Sequence, residues 1–376
     1  MTPRTRNAPA PTLGVRALNR ATLARQLLLR RAALGAEEAV ARLVGLQAQN
    51  TRPPYHALAA RLDGFRPEAL SELMERRAVA RIVTLRSTLH THTADDVLSL
   101  RPLVQPARER ELNAFRARLT GVDRDRLART ARELVEERPR TPAELREHLA
   151  PLWPDADPAA LSVAARCLLP LVQVTPRGLW ERSGQVALTT AEHWFGRPSG
   201  EPVAPETAVR RYLAVFGPAS VKDMQTWAGL TRLRPVFEAL RPELAAFRDE
   251  RGTELFDLPD APRPDADEDA PPRLLPEFDN LLLSHADRTR VVPPAYKDRT
   301  WRVNQSFPAF LLDGFVAGVW KLERSTGKAD RAAVVLEPFG APTRAQRTAL
   351  VEEAGRTLEV LAAAADPDVR FGAVIG

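Results

Sequence analysis

The chain has 376 residues, of which 44% are hydrophobic and 27% are charged. These values are typical of a soluble globular protein, and the length predicts about two to four domains. No apolar run approaches the roughly 18 to 20 residues that a membrane span needs, and the basic, proline-rich first residues contain no apolar signal core. We therefore expect a cytoplasmic protein with no membrane partner and a short disordered arm at its N-terminus.

Basic residues outnumber acidic ones, with 54 Lys and Arg against 48 Asp and Glu, which gives a net charge of +6. Nearly all of the basic residues are arginine. Such a balance favours a polyanion as partner, with nucleic acid ahead of an anionic membrane. A genome rich in G and C would also enrich arginine, so charge alone leaves both explanations open.

The single cysteine, Cys167, lies in an apolar helical pattern. One thiol excludes an intrachain disulfide, a zinc site built from cysteines and an iron–sulfur cluster, so we interpret Cys167 as a buried structural residue. The histidines are scattered, and although His90 and His92 share one strand face, the sequence offers no further ligand nearby. We expect neither a metal site nor a cofactor.

A pattern of helices followed by a strand pair occurs three times along the chain. The first has predicted helices at 19–33, 37–47, 54–62 and 67–77 and the strand pair "ARIVTLRSTLHTHT". The second has a helix ending at Glu137, a helix capped by Thr141, a helix at 158–170 and the strand pair "LVQVTPRGLWERSGQVALT". The third has a helix at 206–216, helices opening at Ser220 and Thr231, and the strand pair "LAAFRDERGTELFDLP". Helices followed by a two-stranded wing are typical of the winged-helix form of the helix-turn-helix.

After Pro259 the composition changes to an acidic, proline-rich stretch that predicts a linker. Beyond it, short β-type segments predict a small barrel or sandwich with one packed helix at 343–365. These segments are "FDNLLLS", "RTRVVP", "TWRVNQSFPAFLLDG", "FVAGVWKLER" and "RAAVVLEPF", and "VRFGAVIG" closes the chain. The predicted fold class is α+β, with three tandem winged-helix modules plus a C-terminal small β-barrel domain. The predicted units are a disordered basic arm (1–17), winged helices 1 to 3 (18–121, 122–200 and 201–260), the linker (261–273) and the β-barrel domain (274–376).

The stretch Gln47-Ala48-Gln49 places two neutral amides where an apolar helix would be expected to end in charge. The double proline at 53–54 disfavours helix and should force Arg52 out of the α region, so we expect the helix to end near Gln47. Side chains two positions apart share a face in extended chain but not in a helix. Beyond such a break, Gln47 and Gln49 can converge on one small volume while Ala48 packs inward.

Amides are weak bases, but each offers one acceptor and two donors and can hold a water molecule in place. Positioning lowers a reaction barrier, and oriented dipoles favour developing positive charge. Such help suffices when the leaving group is already activated, as in a purine alkylated at its 7-position nitrogen, whose positive charge weakens the bond to deoxyribose. The residues alone favour a plainer interpretation, in which both glutamines cap the helix end and bridge to the next helix.

Three blocks resemble the AlkZ/YcaQ family of bacterial DNA glycosylases: "VGLQAQNTRPPYHAL", with its Gln-x-Gln motif, "TLRSTLHTHTADDVLSLRPL" and "LLPEFDNLLLSHADRTRVV". The blocks stand in the family's order, so the resemblance covers nearly the whole chain. It implies three winged helices and a β-barrel around a basic channel, and a monofunctional, metal-independent glycosylase that excises alkylated purines. A sister branch has Asp where this chain has Gln49. That difference implies the branch acting on bulky natural-product adducts and interstrand crosslinks, in DNA repair and self-resistance.

The resemblance also implies roles for individual residues. Gln47 and Gln49 match the catalytic positions, where they orient a water molecule and stabilise the sugar cation. Ser87 stands where the family more often has Gly, which leaves the geometry of the first wing open. The predicted contacts to substrate and DNA are Asn50, Arg52, Arg86, Thr88, His90, Arg288 and Arg290. For each arginine, a solvated surface position is equally compatible with the sequence, and His90 can equally be packed inside.

The implied partner is double-stranded DNA carrying alkylation damage, bound by a monomer at the nucleoid. Because a bulky adduct cannot enter a closed pocket, we expect an open channel and little or no base flipping. The main alternative is a non-catalytic winged-helix transcriptional regulator. That alternative explains the basic charge and the strand pairs. It explains neither three unequal modules, which do not give the two-fold symmetry of repressor dimers, nor two amides beside a double proline.

Overall fold

The computed structural model of the protein describes residues 10–303, 305–325, 331–362 and 366–373, and it combines helices and sheets throughout. None of the helices in these ranges is long and apolar enough to cross a membrane. The order of helices followed by a strand pair occurs three times, as the sequence predicts. We call these three units the first, second and third modules.

The first module runs from a short N-terminal strand through four helices to a strand pair. Its elements are β1 (Thr12–Leu13), α1 (Val15–Arg25), α2 (Ala36–Arg42), β2 (Leu46–Gln47), α3 (Pro53–Arg61), α4 (Pro67–Glu75), β3 (Val79–Val83) and β4 (Leu89–Thr93). Two helices then lead to the second module, α5 (Ala94–Leu103) and α6 (Gln105–Ala114).

The second and third modules each place three helices before a strand pair. The second contains α7 (Arg124–Glu137), α8 (Pro142–Leu149), α9 (Pro158–Leu168), β5 (Leu171–Gln173) and β6 (Leu188–Thr190), followed by α10 (Ala191–Phe195). The third contains α11 (Pro205–Phe216), α12 (Val221–Ala228), α13 (Arg234–Leu240), β7 (Ala245–Asp249) and β8 (Glu254–Asp257). The predicted caps at Thr141 and Ser220 are present as capping boxes, and Gly229 ends α12 in the left-handed region. The predicted helix start at Thr231 is wrong, because α13 begins at Arg234.

The strand pairs of the first two modules are joined in one five-stranded sheet of order β2-β4-β3-β5-β6. The junction is between β3 and β5, where Arg81 pairs with Gln173. The third module instead forms a sheet of order β1-β7-β8, in which Thr12 of β1 pairs in parallel with Arg248. Since β1 is paired and α1 starts at Val15, the prediction of a disordered arm is wrong for 10–17, and residues 1–9 lie outside the described residues.

The C-terminal part is an open sheet with one long helix. Its elements are β9 (Arg273–Leu275), α14 (Asn280–Leu283), β10 (Trp301–Arg302), β11 (Gln305–Ser306), β12 (Ala309–Leu312), β13 (Phe315–Ser325), β14 (Arg331–Pro338), α15 (Arg344–Leu361) and β15 (Asp366–Phe371). The sheet order is β15-β14-β13-β12-β9, and α15 packs on it through Leu350, Ala354 and Leu358. The first and last strands are not paired with each other, so the predicted closed barrel is not found among the described residues.

Two predicted strands of this part are also wrong. The segment "FDNLLLS" forms α14, because the Asp279 carboxylate accepts a hydrogen bond from the Leu281 backbone N–H at 2.9 Å and caps the helix. The segment "RTRVVP" forms turns, with the Val291 N–H donating to the Arg288 carbonyl at 2.9 Å. The predicted helix at 343–365 is present as α15, which ends at Leu361, and residues 363–365 lie outside the described residues.

Two large apolar cores set the position of the modules. The first and third modules share one core, in which Leu43 and Val44 belong to the same cluster as Tyr212 and Trp227. The second module has a separate core around α9, where Cys167 is fully buried, as predicted. The shared core brings the end of α12 against the turn between β3 and β4, which is where the candidate site lies.

Candidate active site

The Gln-x-Gln loop, residues 45–50, connects α2 to α3. The helix α2 ends at Arg42, because Val44 and Gly45 both have left-handed φ angles of 54° and 85°, and the Gly45 N–H donates to the Val40 carbonyl at 2.9 Å. The prediction that this helix reaches Gln47 is therefore wrong.

The double proline begins a helix and does not end one. Pro53 and Pro54 occupy the first turn of α3, where a missing N–H costs nothing. Arg52 lies in the α region with φ −80° and ψ −36°, which corrects the prediction that the prolines exclude it from that region. The Gln-x-Gln loop is therefore a short extended segment between two helix ends, with its sharp bend at Gly45.

The two glutamine side chains both face the strand pair β3–β4 but differ in exposure. Gln47 is only 6% exposed, and its Oε1 accepts a hydrogen bond from Arg86 Nη2 at 2.7 Å. Gln49 is exposed, and its Oε1 accepts from the Leu89 backbone N–H at 3.4 Å, which is long for such a bond. Gln47 is therefore held in one orientation, while the amide of Gln49 is only weakly restrained.

Ala48 lies between the glutamines and anchors the loop to the sheet. It is fully buried, and its N–H donates to the Leu89 carbonyl at 2.7 Å. Its carbonyl accepts from Arg81 Nη2, also at 2.7 Å. Burial and the neighbouring Arg177 lower the pKa of Arg81 to about 10, so its guanidinium is still protonated at neutral pH. The buried guanidinium of Arg81 thus holds the backbone carbonyl of Ala48, the residue between the two glutamines.

The 84–88 turn, which joins β3 to β4, presents Arg86 to the loop. Arg86 and Ser87 both have left-handed φ angles, of 53° and 55°. A glycine would adopt such angles without strain, so Arg86 and Ser87 each carry a conformational cost in this turn. Besides Gln47, Arg86 contacts the third module, since its Nη1 donates to the Trp227 carbonyl at 2.6 Å. Gly229 has φ +71°, and a Cβ atom there would lie 2.9 Å from the Arg86 Cα.

His90 and His92 form a neutral stack behind Arg86. Their rings lie 5.5 Å apart, and both residues are buried. His90 Nδ1–H donates to the Thr88 carbonyl at 3.0 Å, which leaves Nε2 to accept from Arg86 Nη2 at 3.3 Å. Burial, Arg86 and His92 lower the pKa of His90 well below its ordinary value, and burial lowers the pKa of His92 to about 4. The neutral imidazole of His90 therefore accepts a hydrogen bond from the guanidinium that in turn holds Gln47.

The predicted DNA contacts are placed very differently by the structure. Arg52 is exposed beside the loop, whereas Arg288 is half-buried with its guanidinium 5.3 Å from the centre of the Trp301 ring. Burial and Arg288 lower the pKa of Arg86 to about 10, which also indicates that the two guanidinium groups lie near each other. Arg86 and Arg288 therefore form a cluster of positive charge beside the loop.

Two of the predicted contacts are corrected. Arg290 is 7% exposed, and its Nη1 donates to the Pro218 carbonyl at 2.7 Å, so it fastens the third module and does not reach a phosphate. His90 is 1% exposed and supports Arg86 in place of touching DNA. Thr88 is half-buried, with its hydroxyl donating to the Leu85 carbonyl at 3.0 Å, and Asn50 is exposed with its amide donating to Glu277.

Among the described residues, no group of three or more His, Cys, Asp or Glu side chains is arranged to hold a metal ion. The chemically useful groups are the two amides, the cations around them and an exposed approach to Gln49. This arrangement can orient a small nucleophile such as water and bind an anionic backbone.

A sequence model of the DNA glycosylase AlkZ-like family matches residues 40–360. The chain belongs to the AlkZ-like DNA glycosylase family. A solved structure, the Streptomyces sahachiroi DNA glycosylase AlkZ, matches with a TM-score of 0.79 and 21% identity, covering 96% of this chain and 100% of that one. A comparison with curated proteins finds no match.

Membership of this family makes the chain a DNA glycosylase, a hydrolase that acts on DNA and belongs to DNA repair. The likeness to the Streptomyces structure shows a common fold across nearly all of both chains. The match from residue 40 to residue 360 includes the Gln-x-Gln loop, the 84–88 turn and Arg288.

Three residues that border the candidate site were not predicted from the sequence. Arg81, Trp227 and Glu277 contact the loop or the 84–88 turn, but each is distant from the loop in the chain. The glycine at position 45 is a helix-ending signal that could have located the start of the loop.

Proposed function

We propose that the chain is a monofunctional glycosylase that hydrolyses the N-glycosidic bond of cationic alkylated purines of the 7-alkylguanine type. One observation carries this proposal. Gln47 accepts a hydrogen bond from Arg86 in the 84–88 turn, Gln49 accepts one from Leu89 of β4, and no carboxylate among the described residues is hydrogen-bonded to either amide. A site with amides and without a bonded base suits a substrate whose leaving group is already activated.

The reaction needs a placed water and little else. A purine alkylated at its 7-position nitrogen is cationic, and it takes the electron pair of the bond to the sugar C1′ atom and departs as a neutral base. The sugar carries the positive charge in the transition state, a water oxygen bonds to C1′, and the surplus proton passes to solvent. No metal ion and no cofactor has a necessary part in these steps.

The two amides have different roles in this scheme. Gln49 is exposed, so its carbonyl oxygen is the one that a water molecule in the channel can reach, through the lone pair not used by Leu89. Gln47 is buried and its amide plane is fixed by Arg86, so its role is an oriented dipole beneath the sugar. Fixing a dipole before the reaction avoids a reorganisation cost during it.

In this proposal DNA binding depends on cations near the loop and on an open surface. Arg52, which is exposed, and Arg288, which is half-buried, would contact phosphates, and such contacts position a duplex without reading its sequence. The three modules are proposed to act as winged helices along double-stranded DNA, bound by a monomer. Because Gln49 is exposed, a lesion can be attacked with little or no base flipping.

An open site of this kind suits bulky adducts and interstrand crosslinks. Gln49 also supports this substrate class, because the resemblance links Gln at the second motif position to the branch that acts on such lesions. The proposed role is repair of such damage in the cytoplasm, at the nucleoid, including self-resistance to a DNA-damaging antibiotic.

The test is base release. DNA carrying 7-methylguanine, a bulky 7-alkylguanine adduct or a crosslink is incubated with the protein, and free base and abasic sites are measured. We expect release of cationic purines and none of unmodified bases. Absence of release from every cationic adduct, together with selection of a preferred undamaged sequence, would instead identify a winged-helix regulator.

A further inference from the structure

One segment at the entry to the C-terminal sheet contacts the Gln-x-Gln loop at both of its ends. Asn280 Nδ2 donates to the Gly45 carbonyl at 2.7 Å, at the start of the loop. At the other end, the Asn50 side-chain amide donates to the Glu277 carboxylate. Loop and segment are 227 residues apart in the chain at this contact. We call this entry segment, residues 277–280, the brace, because it is hydrogen-bonded to both ends of the loop.

The brace is itself rigid. Asp279, within the same segment, accepts two hydrogen bonds from Arg61 of α3, at 2.8 and 2.7 Å, and both side chains are fully buried. Phe278 is buried and packs edge-on against Trp301, with ring centroids 5.6 Å apart. Glu277 thus projects from a fixed backbone and does not belong to a mobile surface loop.

Glu277 makes a second contact, which joins the loop to another element. Its other carboxylate oxygen accepts from Gln305 Nε2 at 3.0 Å, and Gln305 belongs to β11, which pairs with β10. Arg288 lies over Trp301 of β10, so this strand pair borders the positive cluster described above. One half-buried carboxylate therefore links Asn50 to the edge of the proposed DNA surface.

The hydrogen bond between Asn50 and Glu277 is important because little else restrains Gln49. Its only described side-chain bond is the 3.4 Å contact with the Leu89 N–H. Asn50 follows Gln49 directly, so a charge-assisted hydrogen bond on Asn50 limits the backbone motion available to its neighbour. A rate that depends on a water held by Gln49 is sensitive to displacements of this size, since an error of about 1 Å can cost about 100-fold.

We propose that Glu277 is a positioning residue for base release, which fixes Gln49 by clamping Asn50 to Gln305. The proposal rests on the proposed function for its kinetic part, but the clamp itself is testable without any reaction. A different role, in which the negative charge of Glu277 acts directly on the sugar cation, makes a different prediction for one variant.

The discriminating variant is Glu277→Gln. It removes the charge but keeps one acceptor oxygen and one NH₂ group, and the amides of Asn50 and Gln305 can rotate to present complementary groups. Glu277→Ala removes both the charge and the contacts. Glu37→Ala is the matched control, because Glu37 forms an exposed ion pair with Arg76 and no described bond to the loop.

Two measurements are made on the full-length protein and the three variants. Hydrogen exchange of a peptide covering residues 44–52 reports the clamp, and single-turnover release of 7-methylguanine from DNA reports the reaction. We expect Glu277→Ala to speed exchange and slow release by about 10-fold each, with Glu277→Gln and Glu37→Ala within about 3-fold of wild type.

Unchanged exchange in Glu277→Ala would overturn the clamp. Glu277→Gln could instead exchange as slowly as wild type but release base as slowly as Glu277→Ala. That result would overturn the positioning role and show that the negative charge of Glu277 acts on the sugar cation. If the wild-type protein releases no base, the proposed function fails, and the exchange data alone then decide whether the clamp exists.

Discussion

Removing the Arg86 guanidinium should reveal how much of the activity depends on a fixed Gln47 amide. Arg86→Met keeps the apolar stem but removes the hydrogen bond to Gln47 Oε1, which is 2.7 Å long. A hydrogen bond from a charged donor contributes about 1.5 to 3 kcal/mol, which corresponds to about 10- to 150-fold in rate if it is required in the transition state. The pKa of Arg86, about 10, keeps the donor charged throughout the neutral range.

The assay is a double-mutant cycle on single-turnover release of 7-methylguanine, using wild type, Arg86→Met, Gln47→Ala and the double variant. We expect Arg86→Met to slow wild type by at least about 10-fold but to slow Gln47→Ala by less than about 3-fold. Arg210→Ala, in an exposed ion pair with Glu243, is the control and should leave the rate unchanged. Equal effects of Arg86→Met in both backgrounds would show that Arg86 acts independently of Gln47 and refute the reasoning.

Three further predictions concern pH and stability. The pH–rate profile should be shallow between about 5.5 and 8, since His90 stays neutral and Arg86 charged there, and a steep limb near the pKa of a carboxylic acid would reveal an unassigned base. Burial lowers the pKa of His56 from 6.5 to about 4, so the unfolded state binds more protons between these values and stability falls as pH drops through that window. In denaturant unfolding, the free energy of unfolding of wild type should fall by roughly 2 kcal/mol more than that of His56→Phe between pH 7.5 and 5. Equal losses would contradict a lowered pKa for His56. Asp279→Ala should lower the free energy of unfolding by about 3 to 5 kcal/mol because it leaves Arg61 buried without its partner, and a loss below about 1 kcal/mol would contradict this.

Local sequence signals predicted two helix caps and the burial of Cys167. Thr141 and Ser220 are followed three positions later by an acidic residue, and both form the capping boxes that this pattern favours. The position of Cys167 in an apolar helical pattern correctly indicated burial. The order of helices and strand pairs followed from such signals, because each depends on residues only a few positions apart.

The predicted start of the Gln-x-Gln loop lies too late in the chain, because the double proline was taken as the feature that ends the preceding helix. The double proline drew attention, yet proline suits the first turn of a helix, and Gly45 is the residue that ends α2. An extended chain around Gln47 was anticipated, although the extended segment begins earlier than expected, at Leu46. Convergence of the Gln47 and Gln49 amides on one water stays a prediction.

Long-range contacts could not be predicted from one sequence. Asn280 contacts Gly45 across 235 residues, and Arg86 contacts Trp227 across 141. No periodicity or cap records such pairings, because they arise when separate modules pack on a common core. The same reason explains the error at Arg290, whose sequence setting suggests a surface arginine but whose side chain lies between modules.

The most direct test of the account is the double variant Gln47→Ala with Gln49→Ala, assayed on DNA bearing 7-methylguanine under single-turnover conditions. Its affinity for the same DNA is measured in parallel, and Gln185→Ala, an exposed glutamine of the second module, serves as control. We predict that the double variant binds this DNA as wild type does but releases no base above the spontaneous rate, while the control retains full activity. Base release by the double variant at the wild-type rate would contradict the central claim that these two amides carry the reaction.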